Sequence, residues 1–486
     1  IKSNYKLWYE ENPFLKKCEI LFMGIETTFR HHSHGEIPQE AADSIKHNFP
    51  SYLDIPSLPP SIRTICEVLA TGDPRSVEAS LDSLCLTITQ TEVEQILKLS
   101  YSYPSSAAVF FRWAGAIAHD HSPYSWNLMV DLLGRNALFE PMWDAIKSMH
   151  WKNIVSISTF ASVFSSYVAG GRVNDAILAF EVMERYGCPR DVVALNSLIC
   201  AICRDGNTRD AADFVRYYSH EIPPDADTYA ILLEGWERDS NVSKAGETFL
   251  EMVSSIGWAK ENVSAYEAYL CTVLAGANGI HASMKLLNSI MERGCNPGGR
   301  FFVMALEDCF NSRDVETAEI LLESAEEAGT ADGDTYVMMT RVYCDAGDGV
   351  KAKAMLDKMV GRGWYAGEEI YDLVFLCLVK GRQLNETGEV FETMERRGWV
   401  PGQGTCDVAV RVAIECSNVY LACKFWRCMI GSFDGNLEGT GNWLVVRLCE
   451  FRLGDEAKRI AEEMIKKGIV LSNSTCFKLN QFFDAC

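Results

Sequence analysis

Apolar residues along the chain recur at helical spacing, and the whole pattern repeats. The stretch RVNDAILAFEVMERYGCPRD, Arg172 to Asp191, places apolar residues three and four positions apart, as an amphipathic helix requires, and then runs into a glycine, a proline and an acid. Related stretches end at later residues, namely Asp225, Asp332, Gly402 and Ser472. Repetition of this kind decides the architecture before any single motif does.

Each repeat unit is predicted to contain two helices. The first carries bulky residues at the fourth, seventh, eighth and eleventh positions of the unit and a polar or small residue at the fifth, and the second carries an alanine at the twentieth position. Aligned on these anchors, the units start at residues 123, 157, 192, 226, 263, 299, 333, 368, 403 and 438, with a half unit from 473. The period is therefore about 35 residues.

The twentieth position is predicted to be the close contact between the two helices of a unit. A small residue there lets the helices approach, so a larger side chain is expected to cost about 1 to 3 kcal/mol. The anchor alanines are Ala176, Ala211, Ala245, Ala282, Ala318, Ala352, Ala422 and Ala457, and the series is interrupted by Met142 and Thr387. Glycines expected to adopt left-handed backbone conformations end the second helices at Gly187, Gly294, Gly363, Gly398 and Gly468.

A single helix-turn-helix unit cannot bury its own apolar face, so neighbouring units must stack. We therefore predict an all-α fold, a right-handed α-solenoid of about ten repeats with one helix of each pair lining its inner surface. Three aromatic residues, Phe110, Phe111 and Trp113, are expected to cover the first unit. The predicted organisation is an irregular N-terminal extension (1–60), a helical cap (61–122), the solenoid (123–472) and a C-terminal capping half-repeat (473–486).

The repeat resembles that of the pentatricopeptide repeat family from Pro123 to Ser472. The alternative, the 34-residue tetratricopeptide repeat, requires a small residue at the eighth position, whereas this chain has bulky residues such as Phe164 and Ile199 there. The uniform period, without a C-terminal zinc deaminase signature, is similar to the P-type branch of the family.

This resemblance implies that each unit reads one base of single-stranded RNA through its fifth and last residues. The first four units carry the pairs Asn127 with Ser156, Ala161 with Asp191, Asn196 with Asp225 and Ala230 with Asn262. The family uses the third pair for uridine, and the first favours a pyrimidine. The second and fourth pairs resemble guanine and adenine readers that have lost the hydroxyl of the fifth residue.

Two further features of the family also favour the first four units. An aliphatic second residue that wedges between bases is present as Val193, and basic residues near the thirteenth position, close to the phosphates, are Arg135, Arg204 and Arg238. In later units the fifth residue is often unable to form hydrogen bonds, as at Val303, so about 1 to 3 kcal/mol of discrimination per base contact is missing there.

Composition narrows the remaining function classes. The hydrophobic content is 48%, and no apolar run approaches the roughly 18 to 20 residues of a membrane span. The formal charge of −21 opposes RNA binding unless the acids lie on outer helices, where salt screens them beyond about 10 Å. We find no phosphate-binding glycine loop, metalloprotease helix or nucleophile motif, and so predict no enzyme activity and no cofactor.

Cysteine and histidine usage predicts no metal site. The 18 cysteines form no dense framework, which is typical of a reducing compartment, and the one C-x-x-C, Cys200 to Cys203, lies in a helical run where core packing is expected. The histidines of RHHSHGE (His31, His32 and His34) and HDH (His119 and His121) have no third ligand at metal-site spacing and are interpreted as solvent-exposed.

Two functions remain open. The first is an organellar RNA-binding protein that stabilises, processes or promotes translation of a transcript. The second is a structural or protein-interaction scaffold, such as a component associated with an organellar ribosome. The resemblance implies a mitochondrial location, with the chloroplast as the alternative. We expect single-stranded RNA as the partner, no membrane association and a monomer.

Overall fold

The computed structural model describes residues 49–484 except 85, 119, 278 and 436. Within these residues all regular secondary structure is helical, with 25 α-helices and no strand. The chain divides into two compact parts, Ile1–Gly276 and Ala277–Cys486, called here the N-terminal part and the C-terminal part. The division falls inside the fifth predicted unit.

The N-terminal part begins with helices that precede the repeats. A short 3-10 helix, Tyr52–Asp54, is followed by α1 (Pro60–Thr71), α2 (Val77–Ser83), α3 (Gln90–Lys98) and α4 (Pro104–Ala118). Helix α3 starts with a capping box, in which Thr89 and Glu92 satisfy each other's backbone N–H groups.

Aromatic residues of α4 are buried against their neighbours, in line with their predicted role as a cover. The indole N–H of Trp113 donates to Asp82 on α2 at 2.8 Å. The ring of Phe111 meets Trp126, in the first helix of the first repeat, edge to face at 4.9 Å between ring centroids. The cap and the first repeat therefore share one aromatic cluster.

The repeats of the N-terminal part are antiparallel helix pairs. Their helices are α5 (Pro123–Arg135), α6 (Phe139–Trp151), α7 (Ile157–Ala169), α8 (Val173–Val182), α9 (Val192–Arg204), α10 (Thr208–Tyr218), α11 (Ala226–Arg238), α12 (Val242–Ile256) and α13 (Val263–Leu274). Helix α8 continues into a 3-10 turn, Met183–Tyr186.

The C-terminal part continues the same alternation. Its helices are α14 (Gly279–Met291), α15 (Gly299–Ser312), α16 (Val315–Ala328), α17 (Gly333–Asp345), α18 (Gly349–Gly361), α19 (Glu368–Lys380), α20 (Leu384–Arg396), α21 (Gln403–Glu415), α22 (Val419–Ser432), α23 (Glu438–Glu450), α24 (Gly454–Lys466) and α25 (Asn473–Asp484). In both parts the first helix of every unit begins at the residue where the sequence pattern places the start of that unit.

The core explains why the sequence pattern predicts the start of each first helix accurately. The eighth residue of every unit is fully buried, and these residues are Val130, Phe164, Ile199, Leu233, Leu270, Leu306, Thr340, Phe375, Val410 and Val445. Burial of each large apolar side chain at this position contributes about 1.5 to 3 kcal/mol, so these residues stabilise the stacked helix pairs. Each part is a stack of helix pairs, and the prediction of an all-α fold of the α-solenoid class is confirmed.

The glycines at the ends of the second helices also behave as predicted. Gly187, Gly294, Gly363, Gly398 and Gly468 all have positive φ, between 72° and 81°. Most other residues are strained in this region, so these five glycines end the helices at low conformational cost.

One predicted contact is wrong by a single residue. Ala282 was expected to be the small residue between the two helices of its unit, but it is exposed, and its neighbour Ser283 is fully buried instead. Helix α14 begins at the seventeenth position of its unit, as α10 does, so the length of the turn does not account for this difference. The other anchor alanines, together with Met142 and Thr387, are fully buried.

No helix among the described residues is long and apolar enough to span a bilayer. The predicted N-terminal extension lies outside the described residues up to residue 48, and His31, His32 and His34 fall within that stretch.

Candidate nucleic-acid interface

The last residue of each unit occupies a defined place, the N-cap of the next unit's first helix. Asp191, Asp225 and Asp332 accept hydrogen bonds from backbone N–H groups of α9, α11 and α17. A carboxylate is favoured at this end of a helix because the first N–H groups have no partner within the helix. The residue that the family uses for base reading is thus also a structural cap.

The predicted uridine reader forms one hydrogen-bonded cluster. Asn196, the fifth residue on α9, donates from Nδ2 to Asp225 Oδ1 at 3.0 Å. Thr228, the third residue of α11, lies 2.7 Å from Asn196 Oδ1 through its hydroxyl. The same hydroxyl is 2.9 Å from Asp225 Oδ1, which also accepts from the Thr228 backbone N–H at 2.8 Å. The structure therefore brings the predicted pair together across the junction of two units.

The three residues of this cluster differ in how far they are exposed to solvent. Asn196 is only 2% exposed and Thr228 is fully buried, whereas Asp225 is half-buried. A base approaching this junction meets Asp225 before it meets Asn196. Asn196 is therefore placed to orient the carboxylate from behind, and its own contact with a base requires some uncovering of the amide.

The first unit repeats the arrangement with a weaker partner. Thr159 donates to Asn127 Oδ1 at 2.7 Å, and the Ser156 backbone N–H donates to the Thr159 hydroxyl at 3.2 Å. Ser156 is the N-cap of α7. The predicted pair, Asn127 and Ser156, therefore borders the same threonine.

The second and fourth units have incomplete readers. Asp191 is exposed and caps α9 through the Ala194 N–H at 3.0 Å, but Ala161 offers it no polar group. In the fourth unit Asn262 is buried, and its Nδ2 has no hydrogen-bond partner among the described residues. Ala230 is too short to supply one. The Asn262 amide nitrogen is thus a buried donor without a hydrogen-bond partner among the described residues.

The remaining predicted contacts are placed in different ways. Val193, at the start of α9, is 50% exposed, as an inserting aliphatic side chain must be. Arg204 and Arg238 are exposed at the ends of α9 and α11, and Arg238 Nε lies 3.4 Å from the Glu234 carbonyl oxygen. Arg135 instead forms an ion pair with Asp131 at 2.9 Å, in which both side chains are largely covered.

In the C-terminal part the fifth residue also bridges to the next unit where it is polar. Asp372 accepts from the Gly402 N–H at 3.1 Å and from the Thr405 hydroxyl at 3.3 Å. Asp407 accepts from Thr440 and pairs with Arg411 at 3.0 Å. Burial of Asp407 opposes ionisation, but the hydrogen bonds from Arg411 and Thr440 outweigh it and lower the pKa of the carboxyl group.

The sequence interpretation missed the threonines at these junctions. Thr159, Thr228, Thr405 and Thr440 each occupy the third position of a first helix. The signal that identifies them is a capping pattern, an N-cap residue followed three positions later by threonine, which is visible as DADT before α11 and DGDT before α17.

The described residues contain no cluster of three or more metal-ligating side chains. Cys203 is buried and its pKa is raised by desolvation, and Cys200 is half-buried beside it on α9, which fits the predicted packing role. His121 differs from its interpretation as an exposed residue. It is half-buried, stacks on Phe111 at 3.7 Å between ring centroids, and its Nε2 lies 2.7 Å from the Phe111 carbonyl oxygen. His119 lies outside the described residues.

Together, the stacked helix pairs and the capped junctions define a class of helical-repeat proteins with about 35 residues per unit. Residues 158–188 and 334–364 match the family model described as PPR repeat. One match falls in the N-terminal part and the other in the C-terminal part. These two stretches of the chain are therefore pentatricopeptide repeats.

Known relatives align with limited stretches of the chain. A mitochondrial pentatricopeptide repeat-containing protein of Arabidopsis thaliana is 32% identical over 175 residues, which cover 36% of this chain and 34% of the relative. A second from the same organism is 31% identical over 183 residues, covering 36% and 32%. The alignments thus span about a third of each relative. The crystal structure of the pentatricopeptide repeat protein PPR10 from maize aligns with a TM-score of 0.41 and 20% identity, covering 88% of this chain and 61% of that one.

Proposed function

We propose that the chain binds single-stranded RNA sequence-selectively and acts in organellar RNA metabolism, through stabilisation, processing or translation of a transcript. One base is read per repeat, and the first four repeats are the most competent. The observation that carries the proposal is the 3.0 Å contact between Asn196 and Asp225, which joins the two residues that the family's reading rule pairs. The proposal assigns no catalytic chemistry and no cofactor to the chain.

The chemistry of Asp225 favours uracil at this junction. An ionised carboxylate only accepts hydrogen bonds. Uracil presents an N3–H donor at the centre of its Watson–Crick edge, whereas cytosine presents an acceptor at the same atom. A half-buried carboxylate therefore attracts the first base and repels the second, and a well-formed contact of this kind discriminates by about 1 to 3 kcal/mol.

The exposed arginines are assigned to the phosphates. Arg204 and Arg238 end the first helices of consecutive units, about 12 Å along the helix axis from the fifth residue of each unit. Phosphate contacts of this kind make binding dependent on salt, with a slope of about −0.7 per neutralised phosphate for single strands. We expect the double variant Arg204→Ala, Arg238→Ala to weaken binding and to reduce that slope by about 1.4.

The test is fluorescence anisotropy of a labelled, pyrimidine-containing single-stranded RNA over a range of salt concentrations. A matched control is Arg209→Ala, Arg216→Ala, which removes the same charge from exposed positions of the second helix α10. The proposal predicts that only the first double variant loses affinity and salt dependence. Equal losses in both variants, or no binding of the wild-type chain at low salt, contradict it.

A mitochondrial location is proposed from the names of the aligned relatives, which describe several of those proteins as mitochondrial. The chloroplast is the alternative that the family resemblance leaves open. Immunodetection of the native protein in purified mitochondria and chloroplasts distinguishes the two. A signal only in the cytosolic fraction contradicts both.

A scaffold function is the second candidate, and the C-terminal part favours it. Two of its fifth residues, Val303 and Val337, have no polar group, while Tyr365 and Tyr420 are 80% and 72% exposed. These residues suit protein contacts better than base reading. Native gradient sedimentation with and without ribonuclease tests this candidate, since a scaffold bound to protein remains in a large particle after ribonuclease, while an RNA-bound monomer is released.

A further inference from the structure

We infer that Thr228 is a positioning residue that determines which base the Asn196 and Asp225 junction selects, although it belongs to the following unit. This inference rests on the proposed function, because it concerns the same junction. Asp225 is the more exposed member of the pair and faces the base, Asn196 orients it from behind, and Thr228 holds both in place.

The same donor recurs at several junctions of the chain. In each case a threonine hydroxyl at the third position of a first helix donates to a side-chain oxygen of the preceding unit's fifth residue. The pairs are Thr159 with Asn127, Thr228 with Asn196, Thr405 with Asp372, and Thr440 with Asp407. The recurrence indicates a hydrogen bond that fixes each of these fifth side chains relative to the start of the next unit.

At the Asn196 junction the hydrogen bond from Thr228 also fixes the direction of the Asn196 amide. The Asn196 oxygen accepts from Thr228, so the amide nitrogen faces Asp225 and donates to its Oδ1. Oδ1 is also held by the backbone N–H of Thr228. A carboxylate anchored through one oxygen presents its remaining acceptor capacity in a fixed direction, and fixed direction is what converts attraction into base selection.

Removal of the Thr228 hydroxyl is expected to disturb the orientation of both the Asn196 amide and the Asp225 carboxylate. Asn196 is buried, so its amide oxygen then has no hydrogen-bond donor, and solvent cannot easily supply one. The amide must shift, and Asp225 loses a well-placed donor on Oδ1. The expected consequence is a carboxylate that rotates more freely and accepts from either N–H or amino groups of the base. Thr228 itself is fully buried and does not contact the base.

Thr335 is a matched control for the structural part of this role. It lies at the third position of α17, is fully buried, and forms the same cap with Asp332, with its N–H at 2.9 Å and its hydroxyl at 2.8 Å from Oδ1. The fifth residue of the preceding unit is Val303, which accepts nothing. Thr335→Val therefore removes an equivalent cap contact without touching a reader.

The experiment is selection of a randomised single-stranded RNA pool on the full chain, with sequencing of the bound fraction. We expect the wild-type chain to enrich uracil over cytosine at one column of the motif, and Thr228→Val to reduce that enrichment at least about fivefold at that column alone. Thr228→Ser retains the hydroxyl and is expected to restore the enrichment. Thr335→Val is expected to leave every column unchanged.

The outcomes separate the inference from the function on which it rests. A uracil column that survives in Thr228→Val overturns the inference alone. A wild-type chain that enriches no motif overturns both. Circular dichroism confirms that each variant is helical, and if Thr228→Val does not fold, Thr159→Val applies the same test to the column read by Asn127. Loss of overall affinity with an unchanged motif also overturns the inference, because a merely structural threonine has that effect.

Discussion

The N-terminal and C-terminal parts have the same pattern of buried core residues but differ at some of their unit junctions. In the N-terminal part Asp191 and Asp225 cap their first helices through their carboxylates, as Asp332 does in the C-terminal part. Gly367 and Gly402, which occupy the same place in the C-terminal part, form no side-chain cap. The eighth residues are fully buried in both parts. Stacking of helix pairs therefore depends on the core, and the junctions are free to gain or lose readers.

The comparison also shows that a fifth residue has two separable roles. Asp372 bridges to Gly402 and Thr405 although its junction has no polar last residue. A bridge of this kind aligns neighbouring units without selecting a base. Under the proposed function, base reading requires an additional acceptor or donor on the last residue, which Asp225 supplies at its junction.

The largest expected effect tests the shared core and the one-residue correction. Ala176→Leu introduces a larger side chain into a fully buried contact and is expected to cost about 1 to 3 kcal/mol. Ser283→Leu is expected to cost a similar amount, whereas Ala282→Leu lies on an exposed surface and is expected to change stability by about 0.5 kcal/mol or less. Thermal unfolding followed by circular dichroism measures all three. A larger loss for Ala282→Leu than for Ser283→Leu contradicts the corrected register.

A smaller effect separates capped from uncapped junctions. Asp225→Ala removes the cap of α11 and is expected to cost about 0.5 to 2 kcal/mol. Gly402→Ala has no cap to remove, and an added Cβ meets only ordinary contacts, at 3.5 Å from Asp372 Oδ2. Its stability is expected to remain within a few tenths of a kcal/mol. Equal losses in urea unfolding would show that the junction carboxylates do not stabilise the first helices.

A reader can be restored in the C-terminal part if the comparison is correct. Val303→Asn places an amide opposite Asp332 and Thr335, which already form the cap found at the Asn196 junction. We expect a new uracil preference of about 1 kcal/mol at one additional column of the selected RNA motif. Val337→Asn is the control, because its junction ends in Gly367. A new column in both variants, or in neither, contradicts the claim that a reader needs a polar last residue beside a polar fifth residue.

The smallest expected effect concerns acid in the C-terminal part. Glu326 accepts from the Tyr336 hydroxyl, and this contact, aided by Lys358 and Arg362, lowers the pKa of its carboxyl group despite partial burial. The resulting stabilisation is present above the unfolded pKa of about 4.3 and is lost as the pH falls through the folded value. Glu326→Gln is therefore expected to be less stable than the wild-type chain near pH 7 by about 1 kcal/mol or less.

That difference is expected to shrink as the pH falls below about 4.3, which thermal unfolding across the pH range measures. Glu327→Gln removes an exposed carboxylate from the same helix and serves as the control. A gap between wild type and Glu326→Gln that widens on acidification is the opposite of the expected sign.

The periodic core explains how much of the fold is predictable from the sequence. The fourth and eighth residues fix the start of each first helix because their burial leaves little freedom. The buried position of α14 is not visible in the pattern because Ala282 and Ser283 are adjacent and both small, so either suits a close contact between helices. The direction of a polar side chain is also hidden from the pattern, so the burial of Asn196 and its hydrogen bond with Thr228 are visible only in the structure.

The central claim is that RNA bases lie against the junctions of the early first helices. It is tested most directly by photocrosslinking a 4-thiouridine-substituted single-stranded RNA to the chain and mapping the modified peptides by mass spectrometry. We predict crosslinks concentrated between Val192 and Arg238, around Val193 and Asp225. Crosslinks confined to the C-terminal part, or to the second helix α10 within that interval, would contradict the account.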